Sequence, residues 1–108
     1  MTEGDSTYLM KKYFMAFLNE GPTRDQLPEE AAEIQAGHLA HMSKLADEGI
    51  IQIAGPFGDE GTIKGIVIYA IPTLEEALRI TQMDPAVKSG RLIVEVRPWW
   101  AAVGSVLK

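Results

Sequence analysis

Thr62-Ile-Lys-Gly-Ile-Val-Ile-Tyr-Ala-Ile71, followed by Thr73-Leu-Glu-Glu76, is the stretch whose reading decides the fold. The first run is dominated by β-branched and aromatic side chains, which suit a pleated strand. Thr73 and Glu76 then stand three apart, as a capping box requires: the Thr hydroxyl accepts from the Glu76 amide and the Glu side chain reaches back. A strand therefore passes directly into a helix, which runs to about Gln82 and is broken by Asp84-Pro85.

Working downstream, Lys88-Ser-Gly90 turns the chain into a fourth strand at Arg91–Arg97. Pro98-Trp99-Trp100 closes the sheet region, and Ala101–Lys108 is a short, mostly apolar tail. Upstream, Ile50–Ala54 is a short strand ended by Gly55-Pro56, and 57–61 is a connection of hairpin length. Before it, Pro28-Glu-Glu opens a helix, with proline and carboxylates suited to the first turn, and Gly49 stops it after Glu48. Ala31, Ile34, Leu39, Met42, Leu45 and Ala46 form its apolar stripe, with His38 inside and His41 at the edge. Tyr8–Leu18 is the first strand, and residues 1–6 are a frayed end. The order βαββαβ predicts an α+β, ferredoxin-like sandwich, an antiparallel sheet with both helices on one face.

The 108 residues, 46% hydrophobic and 23% charged, fit one globular domain spanning 1–108. Fifteen acidic against ten basic residues give a net charge of −5, which argues against nucleic acid and anionic membrane as partners. The absence of cysteine excludes disulfides, thiol catalysis and Cys-based metal sites, and it fits a reducing compartment. The start of the chain has no basic n-region, and the apolar run Tyr13–Leu18 is too short for a signal or a span. A soluble, cytoplasmic protein is expected.

A sheet with helices on one face only should alternate apolar and polar residues. Here the first and third strands are apolar on both faces, and only the fourth, with Glu95 and Arg97 opposite Leu92, Val94 and Val96, is two-sided. Something must cover the outer face, and the simplest cover is a second copy packed sheet to sheet, a homodimer. The tail at 99–108 can join that contact or fold back over its own sheet instead.

His38 is the residue that packing does not explain. An imidazole adds nothing to a stripe of Ile, Leu, Met and Ala, and burying an unpaired ring costs about 1–3 kcal/mol. It needs a partner, and a carboxylate partner would also equip it for general acid–base chemistry. Asp84 is the candidate, at the end of the second helix; Asp-Pro turn chemistry explains the same residue equally well. His38 and His41 lack the third ligand of a metal motif, so no metal is expected. Gly55-Pro56-Phe57 reads either as a rigid turn or as a place where a ligand approaches the main chain. Glu29, Glu30 and Glu33 form a solvated helix start.

His38-Leu-Ala, Gly49, Ala54-Gly-Pro56, Glu75-Glu-Ala77, Asp84-Pro-x-Val-x-x-Gly90 and Val96-x-Pro98-Trp99 together resemble the YCII-related (YciI-like) family, over about Gln35 to Trp99. The resemblance implies a ferredoxin-like domain that dimerises as an α+β barrel, as in the muconolactone isomerase group, with a His–Asp site carried by His38 and Asp84. Two positions depart from it. Many relatives have Arg-Pro-x-His where this chain has Gln35-Ala-Gly-His38, which removes an arginine suited to an anionic substrate. Ala86 replaces a common aromatic residue and widens the pocket.

Three functions follow from these residues. The first is a small enzyme without cofactor, in which His38, oriented by Asp84, moves a proton on a carbonyl- or lactone-like metabolite. The second is a non-catalytic module that binds a small molecule, with the pair as polar anchor. The third is an interaction domain in which the pair is purely structural.

Overall fold

In a computed structural model of the chain, which describes residues 9–108, Phe14, Ala16 and Leu18 of the first strand are buried, while Tyr13, Met15 and Phe17 on its other face are half-buried. This strand, β1, spans Met10–Glu20; the expected start at Tyr8 and the frayed residues 1–6 lie outside the described residues. The remaining elements are α1 (Pro28–Asp47), β2 (Ile51–Pro56), β3 (Ile63–Tyr69), α2 (Leu74–Gln82), α3 (Pro85–Lys88) and β4 (Leu92–Ala102). The strands form one sheet in the order β2-β3-β1-β4, with every pairing antiparallel. That is the expected βαββαβ sandwich with one short helix added.

The inner face follows from register. Phe14 pairs with Tyr69 and Ala16 with Val67 across β3, while Ala16 faces Val96 and Leu18 faces Val94 across β4. Leu45 of α1 and Ala77 and Ile80 of α2 close over this face to form the core. Half of the capping box is present: Thr73 Oγ1 accepts from the Glu76 amide at 3.2 Å, fixing the start of α2. Gly49, at φ +77°, ends α1 in the left-handed region where a side chain would be strained.

Four details differ from the sequence reading. β2 does not stop at Ala54, because Gly55 and Pro56 pair with Ile66 and Gly65. A Cβ on Gly65 would lie 2.8 Å from the Gly55 carbonyl oxygen, so this close approach requires glycine. β4 does not close at Pro98-Trp99-Trp100, because these residues face Phe14, Tyr13 and Lys12 and the strand continues to Ala102. Both β2 and β4 are edge strands, where a proline without an N–H is tolerated. Residues 85–88, read as a break, form a single helical turn. In α1 the buried stripe narrows, leaving Leu39 at 55% exposure and Ala46 exposed.

The outer face carries Tyr13, Met15, Phe17, Ile53 and Ile66, all half-buried, and Ile68, buried. The segment after β4 lies over part of this face, and together they bound a cavity of about 490 Å³. No helix among the described residues is long and apolar enough to cross a membrane.

Candidate active site

A glycine and a proline set the distance between α1 and α3. Glycine inside a helix costs about 1 kcal/mol relative to alanine, yet Gly37 sits in the middle of α1. A Cβ there would come within 3.0 Å of Pro85 Cγ, so glycine lets α3 approach α1 closely. The next residue along α1 is His38, and the residue before Pro85 is Asp84. Gly90, at φ +79°, then turns the chain out of α3 and into β4.

His38 Nδ1 donates to Asp84 Oδ2 at 2.5 Å. The other oxygen of the same carboxylate, Oδ1, accepts from the Ala86 amide at 2.9 Å and caps α3. The two readings of Asp84 are therefore both present in one side chain. His38 is 9% exposed and Asp84 4%, so each polar group gains the partner that burial demands. With Nδ1 used as a donor, Nε2 is left as the basic nitrogen of the ring. The tyrosine beneath them, Tyr69, is buried, and that burial, reinforced by the negative charge of Asp84, pushes its phenol well above the ordinary value.

His38 lines a cavity of about 460 Å³ between α1, the strand ends and α3. Asp84, which holds Nδ1, is not part of that lining, so Nε2 is the ring nitrogen left free for a ligand. Leu18, Met42 and Leu92 supply apolar wall, and Ala86 lies beside His38. Gly55 and Pro56 line the cavity as well, and nothing lies within 4 Å of where a Cβ on Gly55 would sit. Phe57 does not line it; it lies just past the end of β2 and is exposed.

Three cations at the same cavity have no signature in the sequence: Arg24, Lys64 and Arg91. They come from the β1–α1 loop, β3 and the residue just before β4, and only tertiary structure brings them together. The signal that could have found the loop contact is glycine. A Cβ on Gly21 would fall 2.1 Å from the Gly90 carbonyl oxygen, so the loop and the β4 entry meet backbone to backbone. Gly21 N donates to Arg91 O and Thr23 N to Gly90 O, each at 2.9 Å. Lys64 pairs with Glu20 at 3.0 Å; the hydrogen bond and charge of Lys64 hold the Glu20 carboxyl below its usual range.

His41, whose place at the stripe's edge suggests a solvated or interfacial residue, is half-buried. Its Nε2 is buried and has no hydrogen-bond partner among the described residues. Also among the described residues, no three His, Asp or Glu side chains cluster as a cation site would need. The outer-face cavity is lined by Tyr13, Gln52, Ser105 and apolar groups, without a histidine or carboxylate.

Comparison with known proteins agrees with this architecture. The chain is 33% identical to the uncharacterized protein YjpA of Bacillus subtilis (strain 168) over 64 residues, which are 59% of this chain and 73% of that protein. Among solved structures it resembles 5-chloro-2-hydroxyhydroquinone dehydrochlorinase (TftG) of Burkholderia phenoliruptrix AC1100, in complex with 2,5-dihydroxybenzoquinone. That match has a TM-score of 0.62 at 21% identity and covers 81% of this chain and 92% of the other. It also resembles muconolactone isomerase, with a TM-score of 0.68 at 14% identity, over 89% of this chain and 96% of the other. At such identities the likeness is one of fold alone, an α+β sandwich built on an antiparallel sheet. The YCII-related domain model matches residues 13–100, and the chain belongs to the YCII-related family.

Proposed function

We propose that the chain is a small acid–base enzyme in which His38 carries the proton, Asp84 orients the ring, and no cofactor takes part. The observation that carries this reading is the 2.5 Å contact between His38 Nδ1 and Asp84 Oδ2 at the wall of a cavity of about 460 Å³. The carboxylate selects one tautomer and stabilises the imidazolium that forms when Nε2 takes a proton. The substrate is a small carbonyl- or lactone-like metabolite. Nε2 removes a proton from carbon next to the carbonyl, and the electron pair of that C–H bond becomes the enolate. The imidazolium then returns the proton to another carbon, which is isomerisation, or protonates a group that the enolate expels, which is elimination. The two structural neighbours, by name a dehydrochlorinase and an isomerase, support both outcomes. Gly55 and Pro56 form the wall along which the ligand lies against main chain.

The same reading includes a homodimer formed through the outer sheet face. Tyr13, Met15, Phe17 and Ile66 remain only half-buried there. The chain's own tail is a poor cover, since Val106 is 74% and Leu107 80% exposed. Apolar surface of this kind on both central strands favours a second copy.

The test is incubation with a panel of ring ketones, lactones and halogenated hydroquinones in D2O, followed by proton NMR. The expected result is exchange of carbon-bound hydrogen or formation of product, lost in His38→Ala. Activity retained in that variant removes His38 from the mechanism. Binding without exchange or product across the panel favours a non-catalytic ligand-binding module.

A further inference from the structure

The charges around the His38 cavity run against those of the whole chain. The protein carries fifteen acidic and ten basic residues, yet Arg24, Lys64 and Arg91 line this cavity and no aspartate or glutamate does. Lys64 is neutralised by Glu20 at 3.0 Å. The two arginines form no salt bridge among the described residues, although the charge of Arg24 is felt at Glu20 more weakly than that of Lys64.

Neutral oxygens hold them instead. Arg24 Nη1 donates to the Arg91 carbonyl oxygen at 2.5 Å, and Arg91 Nη1 donates to Gln26 Oε1 at 2.9 Å. Gln26 is steadied in turn, its Nε2 donating to Thr23 O at 3.0 Å. Each guanidinium has five N–H donors in a planar fork. The bonds described for it use one nitrogen, so both forks keep donors and their full positive charge. The loop that brings them together is pinned to the β4 entry at Gly21 and Thr23, so two like charges are oriented at one opening. A carboxylate matches two such forks in both charge and geometry.

We infer that this cavity takes a carboxylate-bearing substrate, whose carboxylate is bound by Arg24 and Arg91 while the rest of the molecule extends towards His38. This names the substrate class of the site just described and rests on the acid–base reading for the role of the His38 end. The arginine end stands on its own charges.

Benzoate and benzamide are suitable probes, alike in shape and different in charge. Each is titrated into the intact 15N-labelled protein while the amide signals of Gly55, Gly65 and Ala86 are followed. Benzoate is expected to shift them and to bind at least tenfold more tightly than benzamide. Added sodium chloride should weaken that binding. Arg24→Gln and Arg91→Gln should each reduce it, on the order of tenfold, while Arg24→Lys keeps part of it. Equal binding of the two probes, no binding of either, or unchanged binding in both glutamine variants overturns the inference. The comparison of probes on the unsubstituted protein decides even if a variant does not fold. Failure of the acid–base reading is separately visible: benzoate preference without hydrogen exchange on any panel compound removes the chemistry and keeps the anion site, and exchange without that preference does the reverse.

Discussion

Asp84 divides its carboxylate between two tasks: Oδ2 accepts from the His38 ring at 2.5 Å and Oδ1 accepts from the Ala86 amide at 2.9 Å. Asparagine and alanine separate these tasks. Asp84→Asn keeps a cap oxygen but offers an amide to the imidazole, which reverses the preferred tautomer. It should melt close to the parent while losing activity by about 10²–10⁴-fold. Asp84→Ala loses both bonds and should cost a further 0.5–2 kcal/mol from the cap alone. Urea titration beside a turnover assay checks the split; equal stability loss in the two variants contradicts it.

His38→Ala removes the only side-chain partner described for Asp84 Oδ2 and leaves a buried acceptor unmade. The cost should be about 1–3 kcal/mol. The double variant with Asp84→Ala should cost clearly less than the sum of the singles, because the pair acts as one unit. Additive losses would mean that the contact contributes nothing to stability.

Tyr69 supplies a dependence on pH. Its ordinary phenol value of 10.0 is raised by burial and by the charge of Asp84. A raised value in the folded state means that folding favours the neutral phenol. The stabilisation is complete below the unfolded value and is lost as pH climbs above about 10 towards the folded one. Melting temperatures taken from pH 8 to 11.5 should therefore fall more steeply in the parent than in Tyr69→Phe. Parallel curves for the two proteins would show that Tyr69 is not the group responsible.

Two glycines should respond in opposite ways. Gly21→Ala drives a methyl group into the Gly90 carbonyl oxygen, a backbone atom that cannot swing aside. A loss of about 1–3 kcal/mol is expected, together with disturbance at Arg91. Gly55→Ala meets open space, so its melting point should hardly move while ligand binding in the cavity weakens. Thermal melts and probe titrations on both variants test the contrast; a destabilised Gly55→Ala protein with normal binding would make that glycine structural.

Phe17 lies on the outer face between Ile66 on β3 and Glu95 on β4. Lysine at this position can pair with Glu95 across the strands, so Phe17→Lys should fold normally yet lose the sheet-to-sheet contact. Light scattering on a sizing column should show a dimer for the parent and a monomer for the variant. A monomeric parent at micromolar concentration ends the dimer reading.

Much of this was legible in the sequence because local signals agreed with one another. The β-branched run at 62–71, the Thr73 cap and Gly49 each mark an element by chemistry acting over a few residues. His38 stood out for a complementary reason: it violates the apolar stripe around it. Element ends were harder to read. Gly55-Pro56 and Pro98 look like stops, but edge strands tolerate them, and which strands lie at the edge depends on pairings distant in the chain. The four residues of α3 are too few to show a period. Arg24, Lys64 and Arg91 stayed hidden because surface cations look alike until the loop pinned at Gly21 and Gly90 sets two of them beside one cavity.

The shared carboxylate of Asp84 also makes the protein its own reporter. The Ala86 amide can exchange its hydrogen with solvent only when Oδ1 lets go, and the same carboxylate holds the imidazole. Local opening of α3 therefore loosens one of the two bonds that hold this carboxylate in place. The exchange rate of this one backbone proton reports how often the Asp84 cap on α3 lets go, with no substrate in the tube.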